Sequence, residues 1–179
     1  VWRQSLLETL RHRGPWLVAL CFAVYSSQWL AVVGFLPSVY AQLGLGPKTA
    51  GLLTAMVCLA NAAGNMLGAN LLHRGHRAPL LIATGFVVMA AGSIVAYMNV
   101  NGAPLPLEWR FAAVLAFSLV GGLVPSSLFA LSASVAPSER TLGSTVGWMQ
   151  QWSALGQFSG PPLVGWLAGV TGGWQLTWI

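Results

Sequence analysis

Gly64-Asn-Met-Leu-Gly-Ala-Asn-Leu-Leu-His-Arg-Gly-His-Arg77 is the stretch on which the reading of this chain turns. It begins inside an apolar run, with Gly64 and Gly68 four apart on one helical face. Small residues at that spacing let a second backbone come close, which is how helices associate where lipid removes the hydrophobic drive between them. The run breaks at His73-Arg74-Gly75-His76-Arg77 and resumes at Ala78-Pro79 as a second apolar run. Two membrane helices joined by so short a turn are expected to be antiparallel neighbours. Short basic loops mark the cytoplasmic side, so this turn also orients the rest.

Composition sets the class. Of 179 residues, 56% are hydrophobic and 6% charged, against about 25% charged in an ordinary soluble domain. Eight Lys and Arg with three Asp and Glu cannot keep a soluble surface of this size wet. The net charge of +5 sits between apolar runs, where it reads as a topology signal rather than a nucleic-acid footprint. Cys21 and Cys58 both lie within apolar runs, which suits structural thiols and offers no disulfide framework or metal spacing. The chain opens on Val1 rather than Met and stops at Trp178-Ile179 as an apolar run starts, so it reads as a piece of a longer protein.

The expected organisation is all-α and polytopic. Residues 1–14 form a cytoplasmic lead-in whose Trp2, Leu6, Leu7 and Leu10 fall at helical spacing, with Arg3, Arg11 and Arg13 between and after them. That pattern suits a helix lying along the membrane surface. Residues 15–179 form the membrane domain, with spans at about 16–36, 50–72, 78–98, 109–134 and 142–168 and a truncated span from 174. The third span is apolar on all faces and is expected at the lipid-facing periphery. The fourth holds Gly121-Gly122 and Pro125-Ser126-Ser127, where a kink is expected. With the amino end inside, Arg3, Arg11, Arg13, Arg74, Arg77 and Arg140 lie on that side, against Lys48 and Arg110 on the other. Six against two gives a cytoplasmic amino end. Gly68 to Gly75 and Gly165 to Gly172 echo one another, the kind of repeat that duplicated transporter halves leave.

Gly68-Ala-Asn-Leu-Leu-His-Arg-Gly-His-Arg77 resembles the loop signature of the major facilitator superfamily, Gly-x-Leu-Ala-Asp-Arg-x-Gly-Arg-Arg, in the degenerate form found between the eighth and ninth of twelve spans. Gly68, Gly75 and Arg77 match, and Leu72 stands where the first copy of the signature usually has Asp. Gly165 to Trp174 is similar to a further-degenerate copy. Pro137-Ser-Glu-Arg140 with Gly143 and Gly147 looks like the family's turn into its eleventh span, and Gly156 to Pro162, with Gly160, like that span's usual ending. The resemblance implies the carboxy-terminal half of a facilitator carrier, spans seven to eleven and the start of twelve, whose partner is the missing amino-terminal half. It further implies alternating access about a central cavity lined by spans seven, eight, ten and eleven, in the cell (plasma or inner) membrane.

Polar groups buried in a membrane are costly, so each needs an account. Tyr25 and Gln28 lie three apart in the first span, and Asn61 and Asn65 four apart in the second on the face of Gly64 and Gly68. In the fifth, Ser144, Trp148 and Gln151 make one stripe and Gln150 and Gln157 another. Tyr25, Gln28, Asn61, Trp148 and Gln151 are the candidate cavity-lining residues. Gly64, Gly68, Gly75, Arg77, Gly121, Pro125, Gly156 and Gly160 are the candidates for packing and conformational change. Amides donate and accept, and indoles give a flat apolar wall, which suits small organic anions, nucleoside-like and drug-like solutes alike. The other reading of every such amide is helix-to-helix glue, and Asn65, crowded between two glycines, favours it. His73 and His76 read as topology and headgroup contacts rather than pH sensors.

No Asp, Glu, Lys, Arg or His lies in the middle of a span, so no proton relay is expected in this segment. No metal cluster, phosphate loop or activated nucleophile is visible, so an enzyme is not expected and no cofactor is called for. The implied partners are a small-molecule substrate and membrane lipid, with no nucleic acid. The competing expectation is a membrane scaffold or receptor that keeps the fold without transporting.

Overall fold

The computed structural model describes residues 2–100 and 102–174. Its order is α1 (Trp2–Arg11), α2 (Arg13–Gln42), α3 (Pro47–His73), α4 (Ala78–Tyr97), a two-stranded hairpin of β1 (Asn99–Val100) and β2 (Ala103–Pro104), α5 (Leu107–Gly121), α6 (Leu123–Val135) and α7 (Leu142–Thr171). A single 3₁₀ turn, Glu139–Thr141, precedes α7. This is an all-α polytopic membrane fold. Within a bilayer only a helix or a closed barrel satisfies every backbone group internally, and these apolar runs are long enough to do so as helices. The helix α2, the helix α3, the helix α4 and the α5–α6 pair are each long and apolar enough to cross a membrane. The helix α7 is 30 residues long. Gln150, Gln151, Ser153, Gln157 and Ser159 make it more polar than those four. A sixth span expected from residue 174 falls mostly outside the described residues.

Two of the helices run on through proline. The helix α2 continues through Pro37 to Gln42, and α7 runs through Pro161 and Pro162 to Thr171. A proline inside a helix removes one backbone donor, and the packed neighbours of a membrane helix offset that loss. The turns use glycine where the chain must reverse. Gly75 has φ 89°, and after it the amide of His76 donates to Leu71 O and that of Gly75 to Leu72 O, both at 3.0 Å. Those two bonds close the Schellman motif that ends α3.

The helices α3 and α4 are not the packing neighbours that their short turn suggests. The helix α4 packs chiefly on α5 and α6, and α3 packs on the same two helices. The α5–α6 pair therefore stands where α4 was expected. The physical reason is the placement of the small residues. A Cβ on Gly64 would meet the carbonyl group of Leu119, and one on Gly122 would meet the backbone of Asn61, Asn65 and Gly64. On the other side, a Cβ on Gly85 would meet Val124, and one on Gly92 would lie 2.9 Å from Ala113 O. Glycine faces on both α3 and α4 thus converge on α5 and α6. The outward face of α4 carries Leu80, Val87 and Ile94, seven apart and exposed.

The second seam joins α7 to α2, which pack together more extensively than any other pair. A Cβ on Gly156 would meet the backbone of Ala23, and one on Gly160 the backbone and side chain of Ser27. The α5–α6 junction itself is a break. Pro125 has no amide to return to Gly121, and Gly122 separates the two helices.

Gly64→Ala is expected to lower the unfolding free energy by about 2 kcal/mol, the cost of overpacking a seam whose neighbour is backbone. Gly34, where an added methyl would meet nothing within 4 Å, serves as the control. Gly34→Ala should be neutral or stabilising by up to about 1 kcal/mol through helix propensity alone. Equal thermal midpoints for the two variants would show that the seam carries no packing constraint.

Candidate functional site

The close approach of α3 to α5 brings polar groups of three helices into contact. Ser118, fully buried on α5, donates from Oγ to the Val57 carbonyl of α3 at 2.7 Å. The same Oγ accepts from Trp29 Nε1 of α2 at 3.2 Å. Its own carbonyl accepts from Asn61 Nδ2 of α3 at 3.0 Å. Asn61 Nδ2 also lies 2.9 Å from Tyr25 Oη, which in turn donates to Asn61 Oδ1 at 3.2 Å. The helices α2, α3 and α5 are thereby tied by hydroxyl, amide, indole and phenol groups. Every partner is a dipole, and none carries a formal charge.

On the other side of Tyr25 lies a cavity of about 240 Å³. Tyr25, Ser26 and Trp29 of α2 line it with Asn61 and Asn65 of α3, Pro125 of α6, and Gln150, Ser153 and Gln157 of α7. Ser26 Oγ and Ser153 Oγ share a hydrogen bond of 2.6 Å, and Gln157 Nε2 donates to Ser153 Oγ at 3.3 Å. The α7 wall is set by spacing. Gln150, Ser153 and Gln157 recur at three and four residues, and Gly156 and Gly160 seat the adjacent face of α7 on α2. Such a wall offers donors and acceptors that can orient a small solute without an ion pair. Among the described residues no three His, Cys, Asp or Glu side chains come together.

The five candidate lining residues are distributed over several places. Tyr25 and Asn61 meet each other and face the cavity. Gln28 lies on another face of α2, beside Ala31 and Val164 in the groove toward α7. Trp148 joins an aromatic group at the amino ends of α2 and α7. Its ring centroid lies 4.9 Å from that of Trp16 and 6.0 Å from that of Trp152, both edge-on. Gln151 is exposed on the face of α7 that carries Phe158, seven residues on. Asn65, Gln150 and Gln157, whose spacing is visible in the sequence, sit on the cavity wall instead. Ser118 and Ser153 carry no signal of their own, since serine is common in membrane helices and its meaning comes from its partners.

Of the packing candidates, Gly64 and Gly68 face the α5–α6 junction, and Gly121 faces Met89, whose Sδ would lie 2.9 Å from an added methyl. Pro125 lines the cavity below that junction. Gly75 and Arg77 are exposed in the turn between α3 and α4.

Ser118→Ala is expected to cost about 1–2 kcal/mol, because it removes two interhelical bonds and leaves Trp29 Nε1 without its acceptor. Ser127, whose Oγ is buried without a hydrogen-bond partner, is the comparison. Ser127→Ala should be neutral or stabilising, and a larger loss there than at Ser118 would contradict the network's role. A double-mutant cycle of Tyr25→Phe and Asn61→Ala should give a coupling of about 0.6 kcal/mol, and no more than about 2.

Comparison with known proteins places the chain. The sequence pattern of the Major Facilitator Superfamily matches residues 18–179. The Cyanate transport protein CynX of Escherichia coli (strain K12) is similar, with 26% identity over 164 residues that cover 91% of this chain and 41% of that protein. The chain thus spans less than half the length of this curated relative. No solved structure matches it.

Proposed function

Because this chain belongs to the Major Facilitator Superfamily, we propose that it forms the carboxy-terminal half of a carrier that moves a small solute across the cell membrane by alternating access. The observation that carries the reading is the uncharged polar cavity between α2, α3, α6 and α7. In this reading the missing amino-terminal half closes the open side of that cavity, and the amino end of the segment faces the cytoplasm. Tyr25, Asn61, Asn65, Gln150 and Gln157 orient the solute, while Trp29 and Phe22 supply apolar wall. The break at Gly122 and Pro125 lets α6 tilt against α5, and the Gly156–Gly160 seam lets α7 shift along α2. Gln28, Trp148 and Gln151 act from outside this cavity, Gln151 against the missing half.

The grip on the solute is dipolar. Neutral amides and hydroxyls hold a small anion or a polar neutral molecule weakly enough to release it on the far side, as a carrier requires. Cyanate, the solute named for the similar protein, is the first probe.

The test uses the full-length carrier in liposomes. Counterflow of labelled cyanate, or of another small solute, is expected. Gln157→Ala and Asn65→Ala should each slow it about tenfold, the loss of one hydrogen bond to the solute, while Gln151→Ala stays within about twofold. If Gln151→Ala slows counterflow and the other two do not, the solute runs along a different face of α7. Counterflow of no solute at all would favour a membrane scaffold that keeps the fold.

A further inference from the structure

The elbow between α1 and α2 places three basic side chains at the head of an apolar track. Arg11, His12 and Arg13 are exposed there around a hollow of about 520 Å³, whose wall is formed by Leu10, Trp16 and Leu17. The hollow is built, not incidental. Trp16 Nε1 donates to Leu10 O at 3.0 Å across the elbow, and the Trp16 ring packs edge-on against Trp148 and Trp152. His12 Nδ1–H donates to Glu8 O at 2.8 Å, which fixes its ring at the rim. Among the described residues no carboxylate pairs with Arg11 or Arg13. Two exposed guanidinium groups therefore stand beside a membrane helix without a direct ion pair, with Glu8 one turn back on α1.

The track continues from the hollow down α2. Leu17, Leu20 and Val24 are 63%, 44% and 57% exposed and recur at three and four residues, so they share one face of the helix. Leu20 and Val24 then enter a groove of about 510 Å³ between α2 and α7, whose opposite wall includes Trp152 and Leu155. A cationic rim thus stands at the head of a mainly apolar groove, whose polar lining is Ser27, Gln28 and Ser159.

We propose that this elbow is a binding site for an anionic phospholipid, with the phosphate and headgroup between Arg11 and Arg13 and one acyl chain along Leu17, Leu20 and Val24. The fork of a guanidinium matches phosphate oxygens bidentately, and arginine is weakly hydrated enough to do so at an interface. The two arginines of the rim favour a headgroup with net negative charge over a zwitterionic one. A soluble phosphate would use the rim and leave the apolar track open, whereas a phospholipid fills both.

The experiment takes the purified full-length carrier, stripped of lipid in detergent, and counts retained lipids by native mass spectrometry. Phosphatidylglycerol is titrated against phosphatidylcholine, with glycerol 3-phosphate as the soluble headgroup. The expected result is one retained phosphatidylglycerol, bound about twenty-fivefold more tightly than phosphatidylcholine and not displaced by glycerol 3-phosphate, since each of the two interfacial arginines adds about fivefold. The R11Q/R13Q variant should lose that preference, R11K/R13K should keep most of it, and R74Q/R77Q, at the other basic turn, should leave it unchanged. Equal binding of the two lipids to the unaltered carrier overturns the proposal, whether or not any variant folds. Displacement by glycerol 3-phosphate overturns it in favour of a soluble-anion site. No retained lipid overturns it in favour of a further segment of the carrier filling the groove.

Discussion

The architecture depends on how closely α3 approaches the α5–α6 junction. No side chain separates the backbones where Gly64 faces Leu119 and Gly122. Only at that separation can Ser118 reach the Val57 carbonyl, and only then can Asn61 reach the carbonyl of Ser118. A methyl group at the seam would push the helices apart and undo bonds that form nowhere else. In lipid, where apolar surfaces gain little by meeting each other, such close packing and interhelical hydrogen bonds are what remain to select one arrangement.

The neutral character of the interior follows from the same constraint. The bonds joining α2, α3 and α5 run between phenol, amide, indole, hydroxyl and backbone carbonyl groups. Each donor of that three-helix network is satisfied by a partner in the bundle, so none of them needs water or a counter-ion at membrane depth. The cavity inherits this chemistry, because Tyr25, Asn61 and Trp29 belong at once to the network and to the cavity wall. Holding the helices together and presenting a polar surface are one set of contacts seen from two sides. The charged residues are left for α1 and the helix ends: the α1–α2 elbow, the start of α3, the α3–α4 turn, the start of α5 and the turn before α7.

Much of the fold was legible in the linear chain, and the reasons are particular. The apolar runs, the proline and glycine at the turns and the scarcity of charge together leave few alternatives to a bundle of membrane helices. Polar positions along each helix were equally visible, since spacing of three, four or seven is a property of one helix alone. The site was legible only in that one-helix sense. Asn61 and Asn65 can be read as one face of α3, but not that Asn61 turns to Tyr25. Gln150 and Gln151 are adjacent and alike in sequence, and a rotation of about 100° per residue sends one to the cavity and the other outward. Nothing in the dipeptide indicates which.

The chain by itself determined its solvent, its class and its family, because hydropathy and loop patterns are local and survive without knowledge of any partner helix. Tertiary structure decided which helices are neighbours. It set α5 and α6 against both α3 and α4, although the short basic turn joins α3 directly to α4. The physical reason is that a turn fixes only where a helix begins, while neighbourhood is chosen by complementary surfaces. The matching surfaces here, Gly64 with Gly122 and Gly85 with Val124, lie far apart along the chain and meet only once it has folded.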